Sequence, residues 1–109
     1  MNAKQAVVNL YSWPGYFPAS ILQQFEYETG IHVNLSVMYG DNNVLYSKLL
    51  SSPTPVYDVV VPSSFMLNKL RTAGLIDPLD QKKLPNIYHL NQKLLKQIMT
   101  PSGLYALPF

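Results

Sequence analysis

Ile31-His32-Val33-Asn34-Leu35-Ser36-Val37 alternates aliphatic and polar residues without a fault, the period-two pattern of a strand with one buried face. Helical spacing flanks it on the upstream side. There Ile21, Leu22 and Phe25 follow Pro18, whose missing N–H costs nothing in a first helical turn, and Gly30 supplies a left-handed stop. Before that helix, Ala6-Val7-Val8-Asn9-Leu10-Tyr11 reads as a short buried strand that ends at Trp13-Pro14-Gly15.

Downstream, the turn Tyr39-Gly40-Asp41-Asn42-Asn43 caps a helix over 44–51 whose apolar residues are Val44, Leu45, Leu49 and Leu50. A loop over 51–55 leads into Tyr57-Asp58-Val59-Val60-Val61. This β-branched run is ended by Pro62 and is expected to be a central strand covered on both faces. Ser63 or Ser64 then opens a helix to about residue 73, with Met66, Leu67, Leu70 and Ala73 inward and Gly74 as its stop. Residues 75–90 read as irregular, 91–99 as a helix, and Leu104 to Phe109 as a last strand.

Strands alternating with helices predict an α/β fold, a mostly parallel sheet flanked by helices and joined by right-handed crossovers. A length of 109 residues fits one small domain spanning 1–109. With 48% apolar and only 13% charged residues the chain can fill a core, which argues against intrinsic disorder. The nine prolines are spread as punctuation and form no polyproline tract. The strand-like end at Tyr105–Phe109 has no closing cap, which suggests either a fragment of a longer chain or an edge strand open to a partner, and a homodimer through the open edge is expected.

Several function classes drop out. There is no cysteine, hence no disulfide framework, thiolate metal site or cysteine nucleophile. Eight scattered cations, one of them arginine, leave no footprint for tracking phosphates, so nucleic acid is not a partner. No apolar run is long enough for a membrane span. The five glycines stand apart at 15, 30, 40, 74 and 103, which excludes a phosphate loop or a nucleophile elbow. His32 and His89 have no spaced partner, so no metal, cofactor or catalytic residue is expected and the protein reads as a binding module, not an enzyme. Asp58 reads as structural, Asp77 and Asp80 as turn residues, and Lys82-Lys83 as a solvated loop face.

In an open α/β sheet, ligands bind beyond the carboxyl ends of the strands. The loop after the first strand carries Ser12, Trp13, Gly15, Tyr16 and Phe17. That after the second carries Tyr39, Asp41 and Asn42, and that after the third Ser63, Ser64 and Phe65. If the strands run parallel, these three loops share one rim of aromatic rings, hydroxyls and one carboxylate. Such a rim suits an organic cation, attracted to ring faces, or a sugar. The same aromatics would serve equally as core packing.

The motifs in order resemble one family. Leu10-Tyr11-Ser12-Trp13-Pro14-Gly15-Tyr16-Phe17-Pro18, Leu22-Gln23-Gln24-Phe25-Glu26-Tyr27-Glu28-Thr29-Gly30-Ile31, Tyr57-Asp58-Val59-Val60-Val61-Pro62-Ser63, Gly74-Leu75-Ile76, Leu84-Pro85-Asn86 and Tyr105-Ala106-Leu107-Pro108-Phe109 are similar to the periplasmic polyamine-binding proteins of ABC importers. The resemblance implies a segment of the first lobe of a two-lobed solute-binding protein, without the second lobe and hinge return. It implies a periplasmic protein that binds putrescine or spermidine for an ABC permease; the opening residues themselves do not read as a signal peptide, with no charged leader followed by an apolar run. By the same resemblance Trp13 and Tyr16 form one wall for the ligand and Ser63 and Phe65 another, beside Ser12 and Asp41 of the rim.

Two departures stand out. Pro14-Gly15 replaces a hydroxyl and a carboxylate common in relatives, and Phe65 replaces a tyrosine. Asp41 is then the single acid of the rim loops, so the isolated chain is expected to bind polyamines weakly or not at all. Another small solute within the same fold, or a protein-docking α/β domain, are the alternatives.

Overall fold

Val7–Ser12 forms β1, and this strand, not the β-branched run near residue 60, is the middle of the sheet. In the computed structural model, which describes residues 6–52, 56–101 and 103–108, the chain divides into two compact units, 1–62 and 63–109.

In the first unit β1 pairs in parallel with β2 (His32–Val37), in register from Val7 opposite His32 to Ser12 opposite Val37. On its other side it pairs in parallel with β3 (Val59–Val60), Leu10 opposite Val59 and Tyr11 opposite Val60. The order β2-β1-β3 corrects the expectation of a central third strand, and Val59 is 48% exposed. Composition favours a strand in both places. Which one is flanked on both sides depends on pairing, and β1 ends in three consecutive buried residues, Leu10, Tyr11 and Ser12.

The crossover from β1 to β2 is α1 (Ala19–Thr29). Pro18 stands just before it as the N-cap, one position earlier than the first turn. Gly30 closes it with φ 73°, its N–H donating to the Glu26 carbonyl at 2.7 Å. No residue of α1 is buried, and Ile21 and Phe25 are both exposed.

The second crossover, α2 (Asn42–Ser51), starts two residues earlier than its apolar pattern indicates. Asp41 sets that start by accepting from the N–H groups of Asn43 and Val44 at 3.0 and 3.2 Å. Leu45 of α2, fully buried, joins Tyr11 and Met38 in the core of this unit, with Trp13, Leu49, Tyr57 and Val60 packed around them.

A polar row also crosses the sheet. Asn34 donates to the Asn9 side-chain carbonyl at 3.1 Å, and one Asp58 oxygen accepts from the Asn9 backbone N–H at 2.8 Å and from its amide at 3.3 Å. Asp58 is therefore structural, as read from the sequence. His32 pairs with Glu26 at 3.3 Å, which satisfies it locally.

The second unit opens with a 3-10 turn, Ser64–Met66, that runs into α3 (Leu67–Thr72). Met66 and Leu70 are buried and Ala73 is exposed, while Gly74 at φ 71° ends the helix. Residues 75–90 are more ordered than expected: 3-10 turns occupy Gln81–Lys83, capped by Asp80, and Pro85–His89. Asn91 caps α4 (Gln92–Ile98), whose Leu95 is buried.

The expected last strand is not formed. Residues 104–108 make no ladder, and only an isolated antiparallel bridge joins Thr100 to Gly103. Leu104 is anchored all the same, buried and accepting at its carbonyl from the Leu79 N–H at 2.7 Å. Alternation and β propensity favour an extended segment; a strand also needs a neighbour that repeats such hydrogen bonds along it, and among the described residues no ladder forms there. Phe109 lies outside the described residues.

Candidate functional site

The parallel register places the carboxyl ends of β1 and β2 on the same side of the first unit, since Ser12 and Val37 are partners. The ladder continues one step further, with the Met38 N–H donating to the Ser12 carbonyl at 2.7 Å. The chain leaves β1 through α1 to β2 on one side, and α2 then carries it from β2 back across β1 to β3 on the other, so the direction of winding reverses between β1 and β3. At such a switch point the connecting loops part and leave a crevice.

The loop leaving β1 is a tight turn. The Tyr16 N–H donates to the Trp13 carbonyl at 3.4 Å, with Pro14 and Gly15 between them and Gly15 at φ 79°. Proline followed by a residue of positive φ is the type II arrangement, which explains why this dipeptide stands here. The turn divides its two aromatics. Trp13 is half-buried against the Tyr11, Met38 and Leu45 core, while Tyr16 is 45% exposed. Indole thus belongs partly to the core and partly to the rim, and the phenol is presented to solvent.

Asp41 follows β2 on the same rim. One of its oxygens, Oδ1, takes the two cap hydrogen bonds; Oδ2 has no partner among the described residues. The carboxylate is exposed, so it can hold the helix and still meet a cation. Tyr39, 79% exposed, stands two residues before it.

Ser12 does not reach the rim. It is the last residue of β1, fully buried, and its Oγ has no hydrogen-bond partner among the described residues. Its expected contact with a ligand therefore has no exposed surface to use: Tyr11 and Ser12 point to opposite faces of the central strand, and both faces are covered there. Ser63 and Phe65 lie in the second unit. Ser63 precedes the first 3-10 turn, its carbonyl accepting from the Met66 N–H at 3.0 Å, and Phe65 within the turn is 75% exposed.

Sequence reading missed a cation site of a different kind. Tyr11 and Tyr57 stack at 4.6 Å between ring centres with planes 10° apart, and Lys48 Nζ lies 5.0 and 5.9 Å from the two centres. Those three distances put the ammonium beside the stack and not above an outer face, where one separation would be much longer. The hydrogen bond to Tyr57 is the main reason the Lys48 ammonium is held to higher pH than its usual 10.5, followed by the fields of Tyr11 and Tyr57. Only the apolar spacing of α2 was legible in the sequence; the lysine's position depends on where Tyr57 enters β3.

No groups of three or more His, Asp or Glu among the described residues are placed to hold a metal. No described helix is long and apolar enough to cross a membrane.

No family model matches the chain. Individual relatives do. It is 37% identical over 91% of its length to the spermidine/putrescine-binding periplasmic protein of Salmonella typhimurium, and 39% identical over 98% to the putrescine-binding periplasmic protein SpuD of Pseudomonas aeruginosa. Among solved structures, the spermidine/putrescine ABC transporter substrate-binding protein PotD of Streptococcus pneumoniae matches 85% of the chain at a TM-score of 0.77 and 32% identity. The chain spans about 28% of the length of these proteins. The resemblance to periplasmic polyamine-binding proteins thus holds across nearly the whole chain, and the α/β fold with its parallel sheet is shared.

Proposed function

We propose that this chain is a polyamine-capturing lobe segment of an ABC importer's periplasmic binding protein, residues 1–109 serving together as that segment. The observation that carries the reading is the rim of the first unit, where the Trp13–Tyr16 turn leaves the central strand and the Asp41 carboxylate follows its parallel neighbour. An alkyl diammonium has methylenes for aromatic surfaces and charges that must meet acids or stay in water. Residues 1–62 carry four acids against two lysines, a net of −2, which favours the approach of a cation.

The reading makes the protein a binder and not an enzyme, with an ABC permease as its macromolecular partner. Ser63 and Phe65 enter it as separate candidates supported by the resemblance. A homodimer through an open edge belongs to the same reading, and light scattering is the measurement for it.

The test follows Trp13 emission, the chain's single tryptophan, during titration with putrescine, spermidine and butane-1,4-diol. A weak, saturable response to the amines with none to the neutral diol of equal length is expected. Equal responses to amine and diol count against the reading; so does tight binding by the chain alone, since one rim carboxylate cannot supply it.

A further inference from the structure

A cleft of about 400 Å³ lies wholly within the second unit, between its second and third 3-10 turns and α4. Its floor is aliphatic, with Leu84, Ile87, the buried Leu95 and Met99, and the lysines Lys82 and Lys96 stand at its wall. The cleft is braced by Gln92, whose amide donates to the carbonyls of Ile87 at 3.1 Å and Leu90 at 2.9 Å, tying the Pro85–His89 turn to α4.

Its electrostatics are opposite to those of the polyamine rim. Residues 63–109 hold six Lys and Arg against two acids, a net of +4, where the first unit has −2. Four of these cations, Lys82, Lys83, Lys93 and Lys96, are on the elements that build the cleft. All four are exposed, and none has an ion pair among the described residues. Asp80, the nearest acid in sequence, is engaged through Oδ1 in capping the turn that carries Lys82. A polyamine is repelled by such a surface. An anion with aliphatic groups is matched twice, by the charges and by the floor.

We propose that this cleft docks an acidic peptide segment of a protein partner, one that alternates carboxylates with aliphatic side chains. The carboxylates pair with Lys82 and Lys96 while a leucine-sized side chain enters between Leu84 and Met99. The volume accommodates two or three side chains and not a folded domain, which selects a linear segment.

The experiment uses the full chain and a fluorescein-labelled decapeptide of alternating glutamate and leucine, read by anisotropy at about 0.15 M salt, where long-range attraction is screened. Saturable binding is expected, at least tenfold weaker for K82E and for K96E and no more than twofold weaker for K69E, which changes the unit's charge equally outside the cleft. Replacing glutamate by glutamine in the peptide should abolish binding, and M99Q, at a 46% exposed position, should weaken it severalfold without moving the unfolding midpoint.

Equal losses in K69E and K96E would reveal a diffuse charge effect and overturn the proposal. Stronger capture by phosphatidylglycerol vesicles than by the peptide, with the same sensitivity to K82E and K96E, would overturn it in favour of a lipid surface. Putrescine titration of K96E reads the polyamine rim separately, so failure of either idea leaves the other distinguishable.

Discussion

Tyr11 and Tyr57, forty-six positions apart, stack nearly parallel with 4.6 Å between ring centres, one from the central strand and one from the approach to β3. The pair locks the far end of the polypeptide in the first unit onto its middle strand. Parallel aromatic pairs contribute about 1 kcal/mol beyond the area they bury. Y57L keeps most of that area and loses the stack, so it should lower unfolding stability by about 1 kcal/mol in urea titration. A change within error would mean that the rings are merely adjacent.

Lys48 gives this stack a pH dependence. Its pKa is raised in the folded state above the usual 10.5, so the stability that it contributes is complete below that value and is lost as pH climbs through the folded one. Wild-type stability should therefore fall above about pH 10.5, and K48M should show a shallower fall over the same window. Identical alkaline limbs in the two proteins would count against the contact.

Asp41 has two roles that one substitution can separate. D41N keeps a cap acceptor and removes the charge; D41A removes both. D41A should cost about 1 kcal/mol of stability and D41N much less. Polyamine response should fall comparably in both variants if the carboxylate meets the ammonium. Full retention in D41N would leave Asp41 as a cap alone.

Asp58 takes the place of a backbone acceptor for the Asn9 N–H at the edge of the ladder. D58A leaves that donor to water and should destabilise by about 1 kcal/mol, with D58N recovering part of the loss. Amide exchange at Asn9 is the direct readout, faster in D58A than in D58N.

Gly15 sits at φ 79°, with open space where a Cβ would go, so alanine there meets only backbone strain. G15A should cost about 1 kcal/mol. Because the turn aims Tyr16, a shift in tyrosine and tryptophan emission should accompany it.

Much of this molecule is local and was therefore readable. The Ile31–Val37 alternation becomes β2, and Gly30 and Gly74 stop their helices at positive φ as the chain pattern implied. The parallel β-α-β order follows from element succession and the handedness of crossovers. Trp13, Tyr16 and Asp41 were likewise legible as rim residues, because strand ends and the turns after them are marked by Pro, Gly and Asx residues along the chain.

What required coordinates was every property that depends on a distant neighbour. Val59-Val60 has the composition of a central strand yet lies beside β1, and Leu104–Pro108 forms no ladder, because pairing is decided by which segment arrives alongside. Ser12 is one residue short of the turn and is buried, like Tyr11 before it, because the central strand is covered on both faces, while Trp13 just beyond is only partly buried. The Lys48–Tyr11–Tyr57 cluster brings together residues far apart in order, and no period or motif records such a meeting. Local backbone preference and side-chain periodicity are written along the polypeptide; contact between remote segments arises only when burial and hydrogen bonding are settled for the folded chain together.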